Sequence, residues 1–296
     1  MRRPPACIDA RHTKESVSMI STKPAAAARV LGVAVEALNM NLALERIAGE
    51  LHERRKGYIC LTGVHGIMEA QRDPRLAEIY ASAAMTVPDG APTVWVGRWQ
   101  GHSSMQRVAG PELMLELMRR KEFAGYTHFL YGGEEGVAQR LRQQLTLRFP
   151  WVRIAGTFTP PFRDLNEVEE DALLAAVDEL RPDIIWVGIS TPKQERFMHR
   201  YLHRLNTTLM FGVGAAFDYH TGRIQDAPQW IKVIGMQWLH RLVQDPRRLW
   251  KRYLRNNSSF LWNIALQLTG LRDYPPIHNE VESWRAIQPS EVSKAG

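Results

Sequence analysis

Short apolar segments alternate with amphipathic segments along most of the chain. The apolar segments are bounded by turn residues, a pattern that is typical of strands buried on both faces of a sheet. We predict strands over residues 29–35, 58–64, 85–87, 127–133, 152–158, 183–189 and 208–214.

The segments between these strands carry apolar residues at helical spacing. Asn39 stands where it would cap the first of them, and Pro111 suits the first turn of another. Further helices are predicted over residues 134–149, 166–180 and 192–205. Strands that alternate with helices of ~10 to 15 residues indicate a parallel sheet covered on both faces. We therefore predict a doubly wound, mostly parallel, Rossmann-like α/β catalytic domain over residues 29–225.

The two ends of the chain depart from this pattern. Residues 1–28 show no regular period and are predicted to form a disordered extension, and residues 271–296 a loose tail. Residues 226–270 have only a helical pattern, in which tryptophan, leucine and isoleucine interleave with arginine. Pro246 is expected to divide this basic helical appendage, because the residue before a proline is biased out of the helical conformation. A separate third helical run is predicted over residues 260–268.

Cysteine content and apolar run length bear on the compartment. The 296 residues include two cysteines, Cys7 and Cys60, which form neither a metal-binding spacing nor a disulfide framework. The apolar run after Arg2 and Arg3 is too short for a signal peptide, and no stretch approaches the ~20 apolar residues that span a bilayer. We expect a cytoplasmic protein that meets a membrane only from its surface.

Positive charge is concentrated at the two ends of the chain. The net charge is +7, yet residues 230–255 hold seven lysines and arginines against one acid, and residues 1–29 hold six against two. The remainder is therefore mildly acidic. A basic face that also carries tryptophan suits anionic lipid headgroups, a diphosphate or nucleic acid. The candidate residues of this face are Lys232, Arg247, Lys251, Arg252, Arg255 and Trp250.

The segment around Asp89 is the first candidate for catalysis. An apolar strand ends in Pro88-Asp89-Gly90, and Pro92 opens a segment with helical spacing. This places Asp89 on a stiff loop at the edge of the sheet, where α/β folds keep their chemistry. A rigid carboxylate is what a general base requires. The alternative is that Asp89 caps the following helix or closes a turn.

Two other strand ends carry paired glycines. Gly132 and Gly133 precede a predicted helix, whose free N-terminal amides would accept a phosphate. Gly212 and Gly214 would let a ligand approach the backbone. A tight turn and close strand packing are the alternatives. The spacing is not that of a dinucleotide fingerprint, so a dinucleotide enzyme is disfavoured.

Several single polar residues lie near the same predicted edge. Asp218 could accept a hydrogen bond from a ribose hydroxyl, and Gln194 could hold a sugar or a base, although a surface position suits Gln194 equally. Arg107 lies in a polar loop, where an arginine is usually solvated. His65 and His102 could act as bases or ligands, but lone histidines more often do neither.

Seven segments, taken in order over roughly residues 30–255, resemble the WecG/TagA/CpsF glycosyltransferases, family twenty-six. Each motif is weak alone, and the ordered set is highly specific. The segments are Thr62, Val87-Pro88-Asp89-Gly90, Arg107-Val108-Ala109-Gly110, Tyr131-Gly132-Gly133, Pro192-Lys193-Gln194-Glu195, Gly212-Val213-Gly214-Ala215-Ala216-Phe217-Asp218 and Trp238-Leu239-His240-Arg241.

The resemblance implies an inverting enzyme of bacterial surface polysaccharide synthesis. It would move a sugar from a UDP donor to a polyprenyl-diphosphate-linked acceptor while bound to the inner face of the cell membrane. Thr62, Asp89 and Arg107 would be catalytic, with Asp89 as the base. The implied substrate-binding residues are Tyr131, Gly132, Gly133, Gln194, Gly212, Gly214, Asp218, Arg241 and Arg248.

We expect no cofactor and no metal. The chain contains no Asp-x-Asp pair, so arginines would have to stabilise the departing diphosphate. A nucleic-acid-binding α/β protein that uses the basic aromatic tail is the alternative function, and a UDP-sugar epimerase or a non-catalytic membrane adaptor are further ones. The sequence leaves open whether glucose, N-acetylmannosamine or its uronic acid is moved, which glycan accepts it, and whether the protein is a homo-oligomer.

Overall fold

The computed structural model describes residues 26–277, so nearly all of the predicted N-terminal extension and most of the predicted loose tail lie outside the described residues. At the centre is a six-stranded parallel sheet. Its strands are β3 (Gly57–Thr62), β4 (Met85–Pro88), β5 (Thr127–Gly132), β6 (Arg153–Phe158), β7 (Ile184–Gly188) and β8 (Leu209–Gly212). Their order is β4-β3-β8-β7-β5-β6. The predicted Rossmann-like α/β fold is confirmed.

Helices connect these strands and complete the chain to residue 268. They are α1 (Met40–His52), α2 (Val64–Ala70), α3 (Pro74–Ala81), α4 (Ala91–Trp99), α5 (Gly110–Arg119), α6 (Val137–Arg148), α7 (Glu167–Leu180), α8 (Lys193–Tyr201), α9 (Ala216–His220), α10 (Gln229–Val233), α11 (Gln237–Gln244) and α12 (Pro246–Leu268). A short 3-10 helix covers Lys121–Phe123. The Asn39 side chain accepts from the backbone N–H of Leu42, as expected of the predicted cap.

Both faces of the sheet are buried. Along β3, Tyr58 and Cys60 belong to one apolar core, and Ile59 and Leu61 belong to the core on the opposite face. Helices α2, α3, α7, α8 and α12 pack into the first core, and α1, α5, α6 and α9 into the second. Burial on both sides explains why the strands are apolar without alternation.

The predicted first strand, residues 29–35, was wrong as a member of the parallel sheet. The segment forms a separate antiparallel hairpin of β1 (Ala27–Val30) and β2 (Val33–Glu36). Leu31 and Gly32 both have positive φ, +50° and +81°, and form a two-residue turn of the kind that suits the twist of a hairpin. An apolar run with one internal glycine therefore concealed a turn.

The predicted break before residue 260 was also wrong, because α12 continues from Pro246 to Leu268. Pro246 does begin a new helix, and the Asp245 side chain accepts from the N–H of Arg248 at 3.4 Å. In the middle of α12, Asn256 is buried and accepts a hydrogen bond of 2.8 Å from Arg72 of the loop after α2. This tertiary contact stabilises the helical conformation of the polar segment around Asn256, where the sequence shows no helical periodicity.

Within residues 26–277, none of the helices combines the length and the apolarity that crossing a bilayer requires.

Candidate active site

A cavity of about 450 Å³ opens where β3, β4 and β8 end. Its walls come from the loops that follow these strands and from α11 and α12. Ligands of open α/β sheets bind at this edge. Of the predicted site residues, the cavity brings together Asp89, Arg107, Gln194, Gly212, Gly214 and Arg241.

Asp89 is held at the rim of this cavity by the end of the sheet. Its N–H donates to the carbonyl of Thr62 at 3.0 Å, which extends the pairing of β3 and β4 by one residue. Gly90 caps α4 immediately afterwards. The side chain therefore projects from a constrained backbone and is partly exposed to the cavity.

The surroundings of Asp89 set the pKa of its carboxyl at about 7. Burial raises it, and the negative charge of Glu112 raises it further. The charges of Arg107 and Arg241 lower it, and so does a hydrogen bond from the backbone N–H of Gly110 at the start of α5. A carboxyl with a pKa near neutrality exchanges protons readily at physiological pH, as a general base must.

Arg107 lies in an ion-pair network beside the base. Its Nη2 lies 2.5 Å from Oε1 of Glu112, and its Nη1 donates to Oε1 of Gln237 at 3.1 Å. Lys232 donates to the same Glu112 oxygen at 3.2 Å and pairs with Asp226. The network joins α5, α10 and α11, so it orients the arginine toward the cavity from three elements.

Arg241 and Arg252 form a second cationic group in the cavity. The Nε atoms of both side chains are buried, and among the described residues neither has a hydrogen-bond partner. The Arg241 guanidinium lies 5.8 Å from the centre of the Tyr219 ring, and that of Arg252 lies 5.4 Å from the centre of the Tyr253 ring. Burial and the charges of Arg241 and Arg248 lower the pKa of Arg252. Two half-buried arginines whose buried Nε donors have no partner among the described residues are suited to an anion such as a diphosphate.

The charge balance of the cavity favours a polyanionic ligand. Among the described residues that line it, Asp89 is the only carboxylate, while Arg107, Lys232, Arg241 and Arg252 are basic. His65 also lines it, and burial together with the charge of Arg252 lowers the pKa of His65 to about 4. His65 is therefore neutral at pH 7.

Gln194 holds one wall of the cavity in place through hydrogen bonds to the backbone after β8. Its amide nitrogen donates to the carbonyl of Gly212 at 3.1 Å, and its amide oxygen accepts from the N–H of Gly214 at 2.9 Å. The side chain is almost fully buried. These bonds hold the loop after β8, where Gly214 has a positive φ of +57°.

Thr62, predicted to be catalytic, lies beneath the cavity and not on its surface. The side chain is fully buried, and its hydroxyl donates to the carbonyl of Cys60 at 3.4 Å. The buried side chains of Tyr80 and Glu195 lie nearby. Burial and the charge of Glu195 raise the pKa of the Tyr80 hydroxyl, whereas a hydrogen bond with Thr62 lowers it. Thr62 reaches the site through its backbone carbonyl, which accepts from Asp89.

Tyr131, Gly132 and Gly133 lie away from the cavity. The Tyr131 ring is buried and stacks on Phe197, with ring centres 4.1 Å apart. A Cβ atom at Gly132 would lie 2.5 Å from the carbonyl oxygen of Gly188, so β7 alone accounts for that glycine. The structure assigns these residues contacts within the fold.

Asp218 and Arg248 border the same region without lining the cavity. Asp218 lies 3.3 Å from Arg223, which also pairs with Glu134. Burial raises the pKa of Asp218. Arg248 is exposed and pairs with Asp245 at 2.6 Å, yet its charge acts on both Asp218 and Arg252.

The residues predicted to face a membrane divide into two groups. Lys232 and Arg252 line the cavity, and most of the Lys232 side chain is buried. The others are exposed on α12 in two parallel stripes. The basic stripe is Arg247, Lys251 and Arg255, and the apolar stripe is Trp250, Leu254 and Leu261.

Several aromatic residues line the cavity although they were not among the predicted site residues. Trp95, Tyr219, Trp238 and Tyr253 all line it. Apart from its position after Asp218, nothing in the sequence indicated that Tyr219 would line the cavity. Its contact there is with Arg241, whose guanidinium packs against the Tyr219 ring. Over residues 26–277, no three histidine, cysteine, aspartate or glutamate side chains lie close enough together to hold a metal ion.

Comparison with known proteins gives consistent matches. The pattern of the glycosyl transferase WecG/TagA/CpsF family matches residues 28–274. An N-acetylglucosaminyldiphosphoundecaprenol N-acetyl-beta-D-mannosaminyltransferase of Bacillus spizizenii is 30% identical over 203 residues, which cover 68% of this chain and 77% of that protein. A protein of the same name from Bacillus subtilis is 28% identical over 186 residues, which cover 62% of this chain and 70% of that protein.

Proposed function

The chain belongs to the WecG/TagA/CpsF family of glycosyltransferases, and from this premise we propose that it is an inverting enzyme with a UDP-sugar donor and a polyprenyl-diphosphate-linked sugar acceptor. One observation carries the proposal. Asp89 is the only carboxylate among the described residues of a cavity that holds four basic side chains, and its pKa is about 7. A base beside an anion site is what sugar transfer from a nucleoside diphosphate requires.

In the proposed step, the acceptor hydroxyl attacks the anomeric carbon of the donor. Its oxygen forms the new glycosidic bond as the bond from the anomeric carbon to the diphosphate oxygen breaks, and the electron pair of that bond leaves with UDP. Asp89 takes the hydroxyl proton. Attack from the face opposite the leaving group inverts the anomeric configuration. General base catalysis of this kind contributes a factor of roughly 10² to 10⁴ in rate.

Arg241 and Arg252 supply the positive charge for the departing diphosphate. Their buried Nε atoms have no protein partner among the described residues, so each can donate to a phosphate oxygen without first breaking a bond. Stacking of the two guanidinium groups on Tyr219 and Tyr253 keeps them in place in the absence of a ligand. This arrangement supports transfer without a metal ion.

The two relatives guide the choice of substrates. Both are named for transfer of N-acetylmannosamine to N-acetylglucosaminyldiphosphoundecaprenol. We therefore propose UDP-N-acetylmannosamine as the first donor to test, with UDP-glucose and UDP-N-acetylmannosaminuronic acid as the others, and a polyprenyl diphosphate that carries one sugar as the acceptor.

An acceptor of this kind lies in a membrane, and α12 offers a surface for it. The basic stripe, Arg247, Lys251 and Arg255, repeats every four residues and so lies along one side of the helix. The apolar stripe runs beside it and ends at Leu261, which also lines the cavity. We propose that the enzyme rests on anionic lipid through these two stripes, with the cavity mouth at the membrane surface.

A transfer assay tests the proposed function. Each UDP-sugar is incubated with the purified protein and a short-chain polyprenyl diphosphate N-acetylglucosamine, and the product is identified by mass and by the anomeric configuration of its new bond. We expect transfer from one donor with inversion, and loss of transfer in Asp89→Asn. If none of the donors reacts, or Asp89→Asn remains fully active, the proposal is wrong.

A further inference from the structure

A second cavity of about 560 Å³ adjoins the first and is more open to solvent. The two cavities share Ala91, Trp95, Arg107 and Lys232 in their walls. The second cavity also has the side chains of Arg98, Gln106 and Gln229 around it. Val94 and Glu112 complete the lining, and of these residues Arg107, Glu112 and Lys232 belong to the ion-pair network beside Asp89.

The lining of this second cavity has the chemistry of a sugar subsite. Trp95 is 46% exposed, while its indole edge packs against Gly235, where an added Cβ would lie 3.0 Å from Cζ2 of the ring. The ring is therefore held in place and still presents apolar surface. Around it stand two exposed amides, Gln106 and Gln229, with the cationic Arg98. A pyranose needs this combination, since its C–H face packs on an aromatic ring and its hydroxyls and acetamido group bond to amides.

The shared wall places the second cavity next to the one that holds the base. Asp89 follows β4, which is the edge strand of the sheet. The family-derived donor residues follow strands further into the sheet: Gln194 after β7, and Gly214 and Asp218 after β8. The second cavity is built from α4, which begins directly after Asp89, together with the loop around Arg107, α5 and α10. Because Arg107 borders both cavities, a sugar there would lie beside the arginine whose charge acts on Asp89.

We propose that this second cavity binds the pyranose ring of the acceptor, a hexose or N-acetylhexosamine joined to a diphosphate, with Trp95 packed against its C–H face. The inference rests on the proposed function and adds the place of the acceptor sugar. Trp95 borders both cavities, and in this assignment it acts on acceptor binding more strongly than on donor binding.

Separate Michaelis constants for the two substrates test this assignment. In Trp95→Ala, we expect the KM for the short-chain polyprenyl diphosphate N-acetylglucosamine to rise about threefold to tenfold. The KM for the UDP-sugar should stay within twofold of the wild-type value. Trp95→Phe should restore most of the loss, because a smaller ring still offers a flat apolar face. Gln106→Ala should raise the acceptor KM in the same direction.

Trp99→Ala is the matched control. Trp99 lies one turn further along α4, is 67% exposed and lines neither cavity. We expect both constants to be unchanged in this variant. The assignment is overturned if Trp95→Ala raises the donor KM by the same factor, leaves the acceptor KM unchanged, or behaves like Trp99→Ala. Absence of transfer by the wild-type enzyme would instead refute the proposed function.

Discussion

Arg107 lowers the pKa of Asp89 through its charge, while its own hydrogen bonds go to Glu112 and Gln237. The arginine is therefore positioned by partners other than the base on which it acts. Burial alone would keep Asp89 protonated to a higher pH, and Arg107 offsets part of that effect. The result is a carboxyl whose pKa lies near neutrality.

The pH dependence of the reaction should report the ionisation of Asp89. A base acts only when deprotonated, and the pKa of this carboxyl in the free enzyme is about 7. We expect kcat/KM to fall about tenfold for each pH unit below that value and to level off above it. A profile measured from pH 5 to 9 at constant ionic strength checks this. An acid limb near pH 4 would mean that the reaction depends on a different group.

Removal of the Arg107 charge should shift the acid limb of the pH profile of kcat/KM. In Arg107→Ala, the Asp89 carboxyl loses a stabilising positive charge, so its pKa rises, and we expect the acid limb to shift upward by about one pH unit or more. Arg107→Lys keeps the charge and should leave the limb near pH 7. Arg119→Ala, at the exposed end of α5, is the control. An unchanged limb in Arg107→Ala would show that the arginine does not act on the base.

Substitutions of two arginines of α12 should affect different activities, one catalysis and the other membrane binding. Arg252 lines the cavity, whereas Arg255 is exposed in the basic stripe. With a water-soluble acceptor, we expect Arg252→Ala to lower kcat/KM by roughly 10-fold to 100-fold, because a charged hydrogen-bond donor to the diphosphate is lost. Arg255→Ala should leave this reaction unchanged.

The binding of the same two variants to lipid vesicles should show the opposite pattern. Binding to vesicles that contain anionic lipid should weaken about fivefold in Arg255→Ala, which corresponds to about 1 kcal/mol for one surface cation. Arg252→Ala should bind them like the wild type. Co-sedimentation at two salt concentrations measures both variants. If each variant lost both activities, the division of the basic residues into two groups would be incorrect.

The reaction should continue without divalent metal ions. Arginines and Lys232 supply the positive charge of the cavity. We expect the rate in excess EDTA to equal the rate in buffer that contains Mg²⁺. A loss of activity in EDTA that Mg²⁺ or Mn²⁺ restores would contradict this expectation.

Glu195 should make the fold less stable as the pH rises. Burial raises the pKa of this carboxyl above its ordinary value of 4.5. Above pH 4.5 the unfolded chain releases the proton while the folded chain retains it, so stability falls as the pH increases from 4.5 through the folded pKa. Glu195→Gln stays neutral, so its free energy of unfolding should increase relative to that of the wild type as the pH rises above 4.5.

Urea unfolding at pH 5 and at pH 8 measures this effect. The relevant quantity is the change, between the two pH values, in the difference in free energy of unfolding between Glu195→Gln and the wild type. Glu179→Gln, an exposed glutamate of α7, is the matched control and should show no such change. A pH-independent difference for Glu195→Gln would mean that this carboxyl ionises alike in the folded and unfolded states.

Local patterns predicted most elements of the fold for a definite physical reason. A strand such as β3 is buried on both sides, so its run of apolar residues is visible without knowledge of its neighbours. The hairpin at Leu31-Gly32 escaped detection because a leucine with positive φ has no local signature. The continuity of α12 escaped because the contact between Asn256 and Arg72 joins residues far apart in the chain.

For the site, the sequence indicated the motifs but not which side chains reach the cavity. Pro88-Asp89-Gly90 indicated a rigid acid at a strand end, and the structure places Asp89 at the rim. The backbone of Thr62 pairs with that of Asp89, but the Thr62 side chain is buried in the core. Successive side chains of a strand point to opposite faces of the sheet, so pairing at the strand end does not bring the Thr62 side chain to the cavity. Tyr131 is buried by the aromatic neighbours that other elements bring to it.

The sequence alone determined the alternation of strands and helices and the presence of an acid after β4. Both depend only on residues that are close together in the chain. Tertiary structure alone decided that Arg252 joins Arg241 in the cavity while Arg255 faces outward. One turn of α12 separates the two residues, and only the packing of that helix on α2 and α11 determines which of its sides faces the cavity. The charge around Asp89 arises in the same way, from side chains that the fold collects over a distance of more than a hundred residues.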